Sequence, residues 1–478
     1  MTNRAVPRDH VGRVEGSGLC TQCGTCAGIC PAGAIEMHWE LRYGWRVAVD
    51  EARCTDCGLC LRVCPGETFD FRPEAPWRAR NEGAPVRDFL GPWRGLWFGW
   101  ATDPDVRHRG ASGGVATALL WAALEDGLPG ADGGRVRVDA AACARVDPMN
   151  ALAVRPVVVA TPADAATCRG SKYNAVAMNE ALAHVRENPG RYVLVGLPCH
   201  VEGLRLAQRH SATLRERVVL ALGIFCGWTA EPRATEITAR RAGADAADLA
   251  TVSYRGPGWP GEMRLVRRDG TERRRPYPDY FDRLMNAHTP PRCRLCPDAL
   301  AECADISVGD AWLDRFERDA GFAEGVSDVI VRTPAGERLV KDVTERGLLT
   351  LLPASPDEIV VSQAEQIRIK RRVLRGRLWL RRLAGRPAPL YPGLDVRPTP
   401  GERLAGLRDA AEEVLFRTVG NLRHPSPSPG TTILTAPSPA RDVVESTDPQ
   451  PRASSLTRDA ETVESDHARA PASTTPKG

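Results

Sequence analysis

The sequence predicts an α+β or α/β protein: a small metal–sulfur module, a larger mixed α/β body and a disordered C-terminal tail. Three observations carry that reading. Cysteines recur as Cys20, Cys23, Cys26, Cys30-Pro31 and again as Cys54, Cys57, Cys60, Cys64-Pro65. From Trp93 to about Leu352, apolar strand-like runs alternate with Ala- and Leu-rich helical segments. From about His424 to Gly478 the chain is rich in Pro, Ser, Thr, Ala and Asp and poor in large apolar residues.

Residues 1–17 read as a flexible N-terminus, polar and without the apolar run of a secretory signal. Each cysteine half then reads C-x2-C-x2-C-x3-C-P, the run of a bacterial-type two-cluster ferredoxin domain, expected over 18–70. Three thiolates at that spacing wrap three irons of one cubane, while the fourth, just before a proline, turns to the other cluster. One [4Fe–4S] cluster is therefore expected on Cys20, Cys23, Cys26 and Cys64, and the other on Cys54, Cys57, Cys60 and Cys30. Gly24, Gly28 and Gly58 are expected to let backbone amides approach the sulfurs, so the module reads as self-contained and separable. A zinc site would leave Cys26, Cys30, Cys60 and Cys64 unexplained. A disulfide framework needs an oxidising compartment, for which the N-terminus gives no sign.

Residues 71–92, rich in proline and charge, read as a linker. In the body beyond it, Leu96–Trp100, Val154–Ala160, Tyr192–Leu197, Val218–Phe225 and Ile306–Val308 are strand candidates. Val115–Glu125, Ala175–Glu187 and Val201–Arg209 are helix candidates, and the alternation argues substantial parallel pairing. Gly110-Ala111-Ser112-Gly113-Gly114-Val115 opens the first of these helices, a turn whose free amides suit a phosphate. Alone it is a weak signal, and no G-x-G-x-x-G follows a strand, so a standard dinucleotide fold is not supported.

Cys199 and Cys226 each end a strand candidate, and Cys293 and Cys296 form a C-x2-C pair before Pro297. If the two strands are parallel, both thiols leave the edge where open α/β sheets place their ligands. The four fit either a third [4Fe–4S] site or buried structural thiols. A Cys199–His200 nucleophile is the weaker alternative, because sequence neighbours seldom face each other at a strand end. Cys143, Cys168 and Cys303 read as buried thiols without a role.

Residues 353–395 form a basic helical segment. Within it Ala364–Ala384 is a helix candidate with Ile369, Val373, Leu380 and Leu383 on one face, read as docked on the body with its arginines in solvent. Block 396–478 reads as a mostly disordered tail, because so little apolar surface cannot offset the ordering entropy.

The whole-chain composition excludes two classes. A net charge of +4 on 478 residues is no nucleic-acid footprint. No apolar run reaches the roughly 18 residues of a membrane span. The 15 cysteines without a signal peptide point to a reducing compartment, so a cytoplasmic location is expected. Positive charge falls almost wholly to arginine, with lysine only at Lys172, Lys341, Lys370 and Lys477, which sets Lys172 apart.

The body's short motifs, in order, are Gly110-Ala111-Ser112-Gly113-Gly114, Ser171-Lys172-Tyr173, Gly196-Leu197-Pro198-Cys199, Phe225-Cys226, Gly258-Trp259-Pro260-Gly261, Cys293–Cys296 and Ala304–Asp310. This set resembles the beta subunit of the coenzyme F-420 (8-hydroxy-5-deazaflavin) hydrogenase/dehydrogenase family, over an N-terminal region 93–165 and a C-terminal region 166–352. The resemblance implies a flavin-binding body. Ser112, Gly113 and Gly114 would hold the FAD diphosphate, and Ser171, Lys172 and Tyr173 would flank the flavin. Lys172 is the catalytic candidate, since a cation near the ring favours the anionic reduced flavin. The resemblance also implies a third cluster on Cys199, Cys226, Cys293 and Cys296, and coenzyme F-420 as hydride donor or acceptor. This chain departs from the family pattern at His200, where glutamine is frequent, at Cys303, where an apolar residue is usual, and at Asn174-Ala175. Those departures bear on partner specificity.

The expected function is an iron–sulfur flavoprotein oxidoreductase. It would pass electrons between a hydride carrier and the clusters through FAD, because a hydride brings two electrons and a cubane takes one. The alternatives are an accessory electron-transfer subunit of a larger redox complex and a ferredoxin-driven reductase of an organic substrate. A membrane or scaffold role rests only on the basic helix and tail. Expected partners are a redox protein or ferredoxin, the deazaflavin coenzyme, and a homo- or hetero-oligomeric assembly.

Overall fold

The computed structural model describes residues 9–73 and 75–423. Its centre is an eight-stranded sheet made of β1 (Gly95–Ala101), β2 (Ala140–Val146), β3 (Val154–Val159), β4 (Tyr192–Gly196), β5 (Val218–Ile224), β6 (Ile306–Asp310), β7 (Ser327–Val331) and β8 (Leu349–Pro353). The strands lie in the order β8-β1-β7-β6-β5-β4-β2-β3. The block β6, β5, β4, β2 is parallel, and antiparallel strands flank it on both sides. All five strand candidates are in this sheet. The parallel strands are nearly continuous apolar runs because both of their faces are covered.

Alternation along those strands divides the two cores. Val193, Leu220 and Leu222 face one way, against Leu119 and Ala123 of the helix Val115–Asp126 and Leu339 of the helix Pro334–Glu345. Leu194 and Ala221 face the other way, against Val201 and Leu204 of the helix Pro198–His210. That second core continues without a break into Val11, Leu19, Ile29 and Val63. The ferredoxin module is thus one cover of the sheet rather than a separable bead, which corrects the expectation of independence. A satellite three-stranded antiparallel sheet, Leu249–Ser253, Glu262–Arg267 and Glu272–Pro276, packs around Tyr254, Met263 and Leu265.

The module itself has two short helices, Thr25–Ile29 and Leu59–Arg62, joined through the hairpin Ile35–Glu40/Gly44–Val49. Two of its glycines have a different reason from the one expected. A Cβ on Gly28 would lie 2.0 Å from the Asn179 carbonyl oxygen, and one on Gly24 would lie 2.7 Å from that of Ala177. They let the first helix lie directly on body backbone. Asn179 locks the contact, its N–H donating to the Cys23 carbonyl at 2.8 Å and its side chain to the Thr25 hydroxyl at 2.8 Å.

Other expectations change where packing outweighs composition. Residues 1–8 and 424–478 lie outside the described residues, but within 1–17 a helix, Gly12–Gly16, forms because Val11 and Val14 are buried. The expected linker 71–92 is packed: Phe71, Trp77 and Leu90 are buried, Trp77 stacks on Phe69 with ring centroids 6.1 Å apart, and its indole N–H donates to the Asp70 carbonyl. Ala175–Glu187 becomes helical only from Met178, as a single 3-10 turn leading into Ala181–Glu187.

The basic helix docks as expected but on another face, and Arg371 is buried, donating to Glu302 at 2.7 Å, where a solvated arginine face was expected. Its turn Arg368–Val373 is wound wide, which shifts the phase and buries Ile367, Lys370, Val373, Leu374 and Leu378, while Leu383 is exposed. Block 396–478 contains a 24-residue helix, Pro400–Arg423, where mostly disorder was expected. Its backbone crosses the Leu374–Leu383 helix at Gly376 and Gly406, and Arg377 grips Asp409. No helix among the described residues is long and apolar enough to cross a membrane.

The Gly28 contact gives a direct test. Gly28→Ala should cost about 1–3 kcal/mol by forcing backbone apart. Gly16→Ala, in open space on a helix, should be neutral or stabilising by about 0.5–1 kcal/mol. Thermal unfolding of the two anaerobically purified variants reads the difference.

Candidate functional site

The eight N-terminal cysteines gather in two neighbouring groups, with Cys26 also in reach of Cys60. Cys20 lies within electrostatic reach of Cys26 and Cys64, Cys26 of Cys23 and Cys64, and Cys64 of Cys23. Cys30, Cys54, Cys57 and Cys60 line a second, small cavity. The first quartet is sunk between module and body, whereas Cys57 of the second is exposed.

The four body cysteines also come together. β4 and β5 are parallel, so their C-terminal ends share an edge. Cys199 sits in the first turn of the helix that Pro198 opens, rather than at the strand end itself. Cys226 follows β5, and its N–H donates to the Ala299 carbonyl at 2.8 Å. Cys293 and Cys296 bracket a 3-10 turn. Burial first, then the neighbouring Cys23, Cys226, Cys293 and Cys296, drives the Cys199 thiol well above its ordinary range. Burial likewise pushes Cys226 and Cys64 up to about 12. Thiols so placed are not thiolates unaided; a cationic iron core is what would hold them deprotonated, so the donor sets fit clusters. The quartets are spread: among the described residues no three His, Cys, Asp or Glu side chains converge as ligands of a single ion would.

Two buried cations bind this region together. Arg292, next to Cys293, donates to the Gly66 carbonyl at 2.8 Å and the Pro65 carbonyl at 2.9 Å, strapping the loop after Cys64 to the body quartet. Lys370, in the wide turn of the basic helix, donates to the Cys296 sulfur at 3.4 Å and the Asp298 carbonyl at 2.8 Å. Sequence reasoning missed both residues. The signal for Lys370 was present, since the scarcity of lysine that singled out Lys172 applied to it equally. His200 is no base for Cys199. Its Nδ1 accepts from the Leu197 N–H at 3.0 Å, its Nε2 faces the Val176 carbonyl at 3.1 Å, and burial lowers its pKa to about 4.

Beyond the body quartet, at the C-terminal edge of the parallel strands, opens a cavity of about 1100 Å3. Ordinary ligand pockets hold roughly 300–1,000 Å3. Cys226 and Cys293 stand in its wall. So do Ser112, Gly114 and the first-turn residues Val115, Ala116 and Thr117, whose amides have no helical acceptor. Gly114 takes a left-handed φ of 75° to start the helix, and a Cβ there would strike the Val106 carbonyl at 2.7 Å. Gly113 is not in the wall; it packs on the Gly99 carbonyl. The Ser112 hydroxyl donates to the Val326 carbonyl at 2.9 Å.

Ser171, Lys172 and Tyr173 line the opposite side. The Lys172 ammonium caps its own loop, donating to the carbonyls of Cys168, Arg169 (2.9 Å) and Gly170 (3.1 Å), and burial lowers its pKa to about 8. Tyr173 belongs to an aromatic wall, 4.8 Å from Phe281 and 6.4 Å from Trp228 between ring centroids. Next to that wall Arg255 makes a bidentate pair with Asp310 at 2.6 and 2.8 Å, and Trp259 donates to the same carboxylate at 2.9 Å. The Trp259 loop and the Asp310 strand end, recognisable as motifs, thus meet through Arg255, which the sequence did not single out. Asp305 of the same motif is a structural centre. Burial would raise its pKa, but Arg205 and Arg80 hold it well below the carboxylate range.

Arg292→Met should leave the Pro65 and Gly66 carbonyls buried without a donor. An expected loss of about 2–5 kcal/mol is read from thermal unfolding under anaerobic conditions.

Residues 96–183 match the profile for the N-terminal part of the coenzyme F-420 hydrogenase/dehydrogenase beta subunit, residues 190–357 match the profile for its C-terminal part, and residues 19–68 match a 4Fe-4S dicluster domain. The chain is 26% identical over 335 residues to a subunit of F(420)H(2) dehydrogenase from Methanosarcina mazei, covering 68% of this chain and 84% of that one. It is 27% identical over 263 residues to a coenzyme F-420 hydrogenase beta subunit of Methanococcus voltae, covering 52% and 80%. With a coenzyme F-420-dependent sulfite reductase of Methanocaldococcus jannaschii it shares 24% identity over 338 residues, 68% of this chain and 46% of that one. A chain of a xenon-derivatised F-420-reducing [NiFe] hydrogenase complex from Methanosarcina barkeri aligns with a TM-score of 0.47 and 20% identity, covering 62% of this chain and 96% of that one. The two family profiles together span more than half of the sequence, and the chain belongs to the coenzyme F-420 hydrogenase/dehydrogenase beta subunit family, with a 4Fe–4S dicluster domain at its N-terminus.

Proposed function

We propose that this protein passes electrons between a hydride carrier, reduced coenzyme F-420, and three [4Fe–4S] clusters, with FAD in the cavity. One observation carries the reading. The Cys199, Cys226, Cys293, Cys296 quartet lies within electrostatic reach of Cys23 on one side, and two of its members stand in the cavity wall on the other. In this reading the quartets follow one another from the cavity to the exposed Cys57, supported by the nearness of Cys26 to Cys60. FAD, where bound, supplies the exchange between two-electron hydride chemistry and single-electron transfer.

The chain's own residues hold and tune that relay. The first-turn amides after Gly114 take the diphosphate, helped by the positive end of the helix dipole. The Tyr173 wall offers flat faces to a ring system, and Lys172 keeps positive charge at its rim. Lys370, donating to the Cys296 sulfur, stabilises added negative charge at the body quartet. Names of relatives as subunits support the alternative of an accessory electron-transfer subunit, whose terminal substrate is converted by another chain.

Two measurements decide. The intact protein should contain about twelve irons, three cubanes of four. Cys226→Ser should lower that toward about eight, with the N-terminal EPR signals kept and hydride-derived electrons slow to reach them. An iron content near eight in the fully reconstituted native chain removes the third cluster.

Lys370→Gln should leave the iron content unchanged while making the reduction potential of the body cluster more negative, as read by EPR-monitored redox titration. An unchanged potential removes Lys370 from the tuning role.

A further inference from the structure

Cys143 and Cys168 belong to none of the three quartets, and 25 positions of sequence separate them. The fold nevertheless brings them within electrostatic reach of each other at the cavity wall, where both residues stand. Cys143 is on β2 and 2% exposed, whereas Cys168 follows the short helix Pro162–Ala166 and is half-buried. The Lys172 ammonium stands beside both, held by the carbonyls of Cys168, Arg169 and Gly170. The Thr167 hydroxyl adds a contact at 3.8 Å to the Cys168 sulfur.

The environment divides labour between the two. The neighbouring Cys143 first, with Lys172, Thr167 and Arg145 adding and burial opposing, lowers Cys168 to about 7. Cys168 in turn, and burial, push Cys143 well above the thiol range. One sulfur is thus an accessible thiolate near neutral pH and the other a buried, protonated neighbour. That asymmetry is the physical requirement for a nucleophilic and a resolving cysteine.

We propose that Cys143 and Cys168 form a redox-active dithiol that reduces organic disulfides entering the cavity. The Cys168 thiolate attacks one sulfur of R–S–S–R; that S–S bond breaks, a mixed disulfide forms on Cys168, and the first RS⁻ leaves. Cys143 then gives up its proton and attacks the Cys168 sulfur. The Cys143–Cys168 bond forms as the second thiol leaves, taking that proton as RSH. The pair is oxidised by two electrons and the substrate is reduced to two thiols. Closure needs the Cys168 loop to move toward Cys143, which is anchored in the sheet, and to loosen the Lys172 hydrogen bonds that hold it.

The test uses the full chain, purified anaerobically with its clusters, and glutathione disulfide as the probe, with acid quenching, alkylation and peptide mass mapping. The expected product is a Cys143–Cys168 cross-link at unchanged iron content, forming about tenfold faster at pH 8 than at pH 6, the change in thiolate fraction for a group titrating near 7. Cys143→Ser should stop at a glutathione adduct on Cys168, and Cys168→Ser should give neither product. Free, alkylatable Cys143 and Cys168 after exposure, or disulfides confined to the quartet cysteines, overturn the proposal. Iron content and thermal unfolding of both variants show that each is folded.

Discussion

Everything in this molecule depends on how closely the N-terminal module lies on the sheet. That approach is a backbone-on-backbone contact, permitted by the absence of a Cβ at Gly28 and Gly24 and closed by Asn179. A side chain at either glycine would hold the module off by the width of a methyl group or more. A contact that looks like simple packing thus also sets the spacing between the Cys23 and Cys199 quartets. Arg292 reinforces it from the opposite side by tying the Pro65–Gly66 backbone to the Cys293 loop. The shared core of Leu19, Ile29, Leu194 and Leu204 makes the arrangement cooperative: neither half is complete without the other.

Electrostatics complete what packing begins. Burial penalises every charged form near the body quartet, raising the Cys199, Cys226 and Cys296 thiols. Lys370 is buried there too, but the neighbouring sulfurs hold its proton firmly against that burial. A cation that costs so much to bury is retained where several sulfurs and the Asp298 carbonyl face it, and its wide helical turn is what lets it reach. On the cavity side the balance is different. Lys172 spends its donors on loop carbonyls, and its charge acts on the rim and on the adjacent thiols.

Much of this was legible beforehand. Eight cysteines with two prolines specify a pair of cubanes because ligand geometry leaves few other uses for that spacing. The strands around Val193 and Leu220 announced themselves as apolar runs because both faces are covered. Other elements were not legible. The helix Pro400–Arg423 has an exposed, mixed surface, and what holds it is a glycine crossing at Gly376 and Gly406 with an Arg377–Asp409 pair, both long-range. Phe71 and Trp77 looked like parts of a linker because proline and charge dominate around them, yet two or three buried aromatic rings outweigh that composition.

The sequence by itself determined the ligand chemistry, the family and the strand–helix alternation, since each is written in local spacing: thiols every three residues, glycines before a helix, apolar runs of strand length. Only the tertiary structure decided how the body cysteines are brought together and which of the remaining thiols lie side by side. Cys199 and Cys226 gather because their strands are parallel and end at one edge, and Cys293 and Cys296 join them across the loop that Arg292 anchors. Cys143 and Cys168 meet because a strand and a helix end converge on Lys172. The same holds for Arg255 and Asp310, which lie 55 positions apart in the chain. Such pairings depend on register and on the closeness of backbones, and neither leaves a periodic trace in the residues themselves.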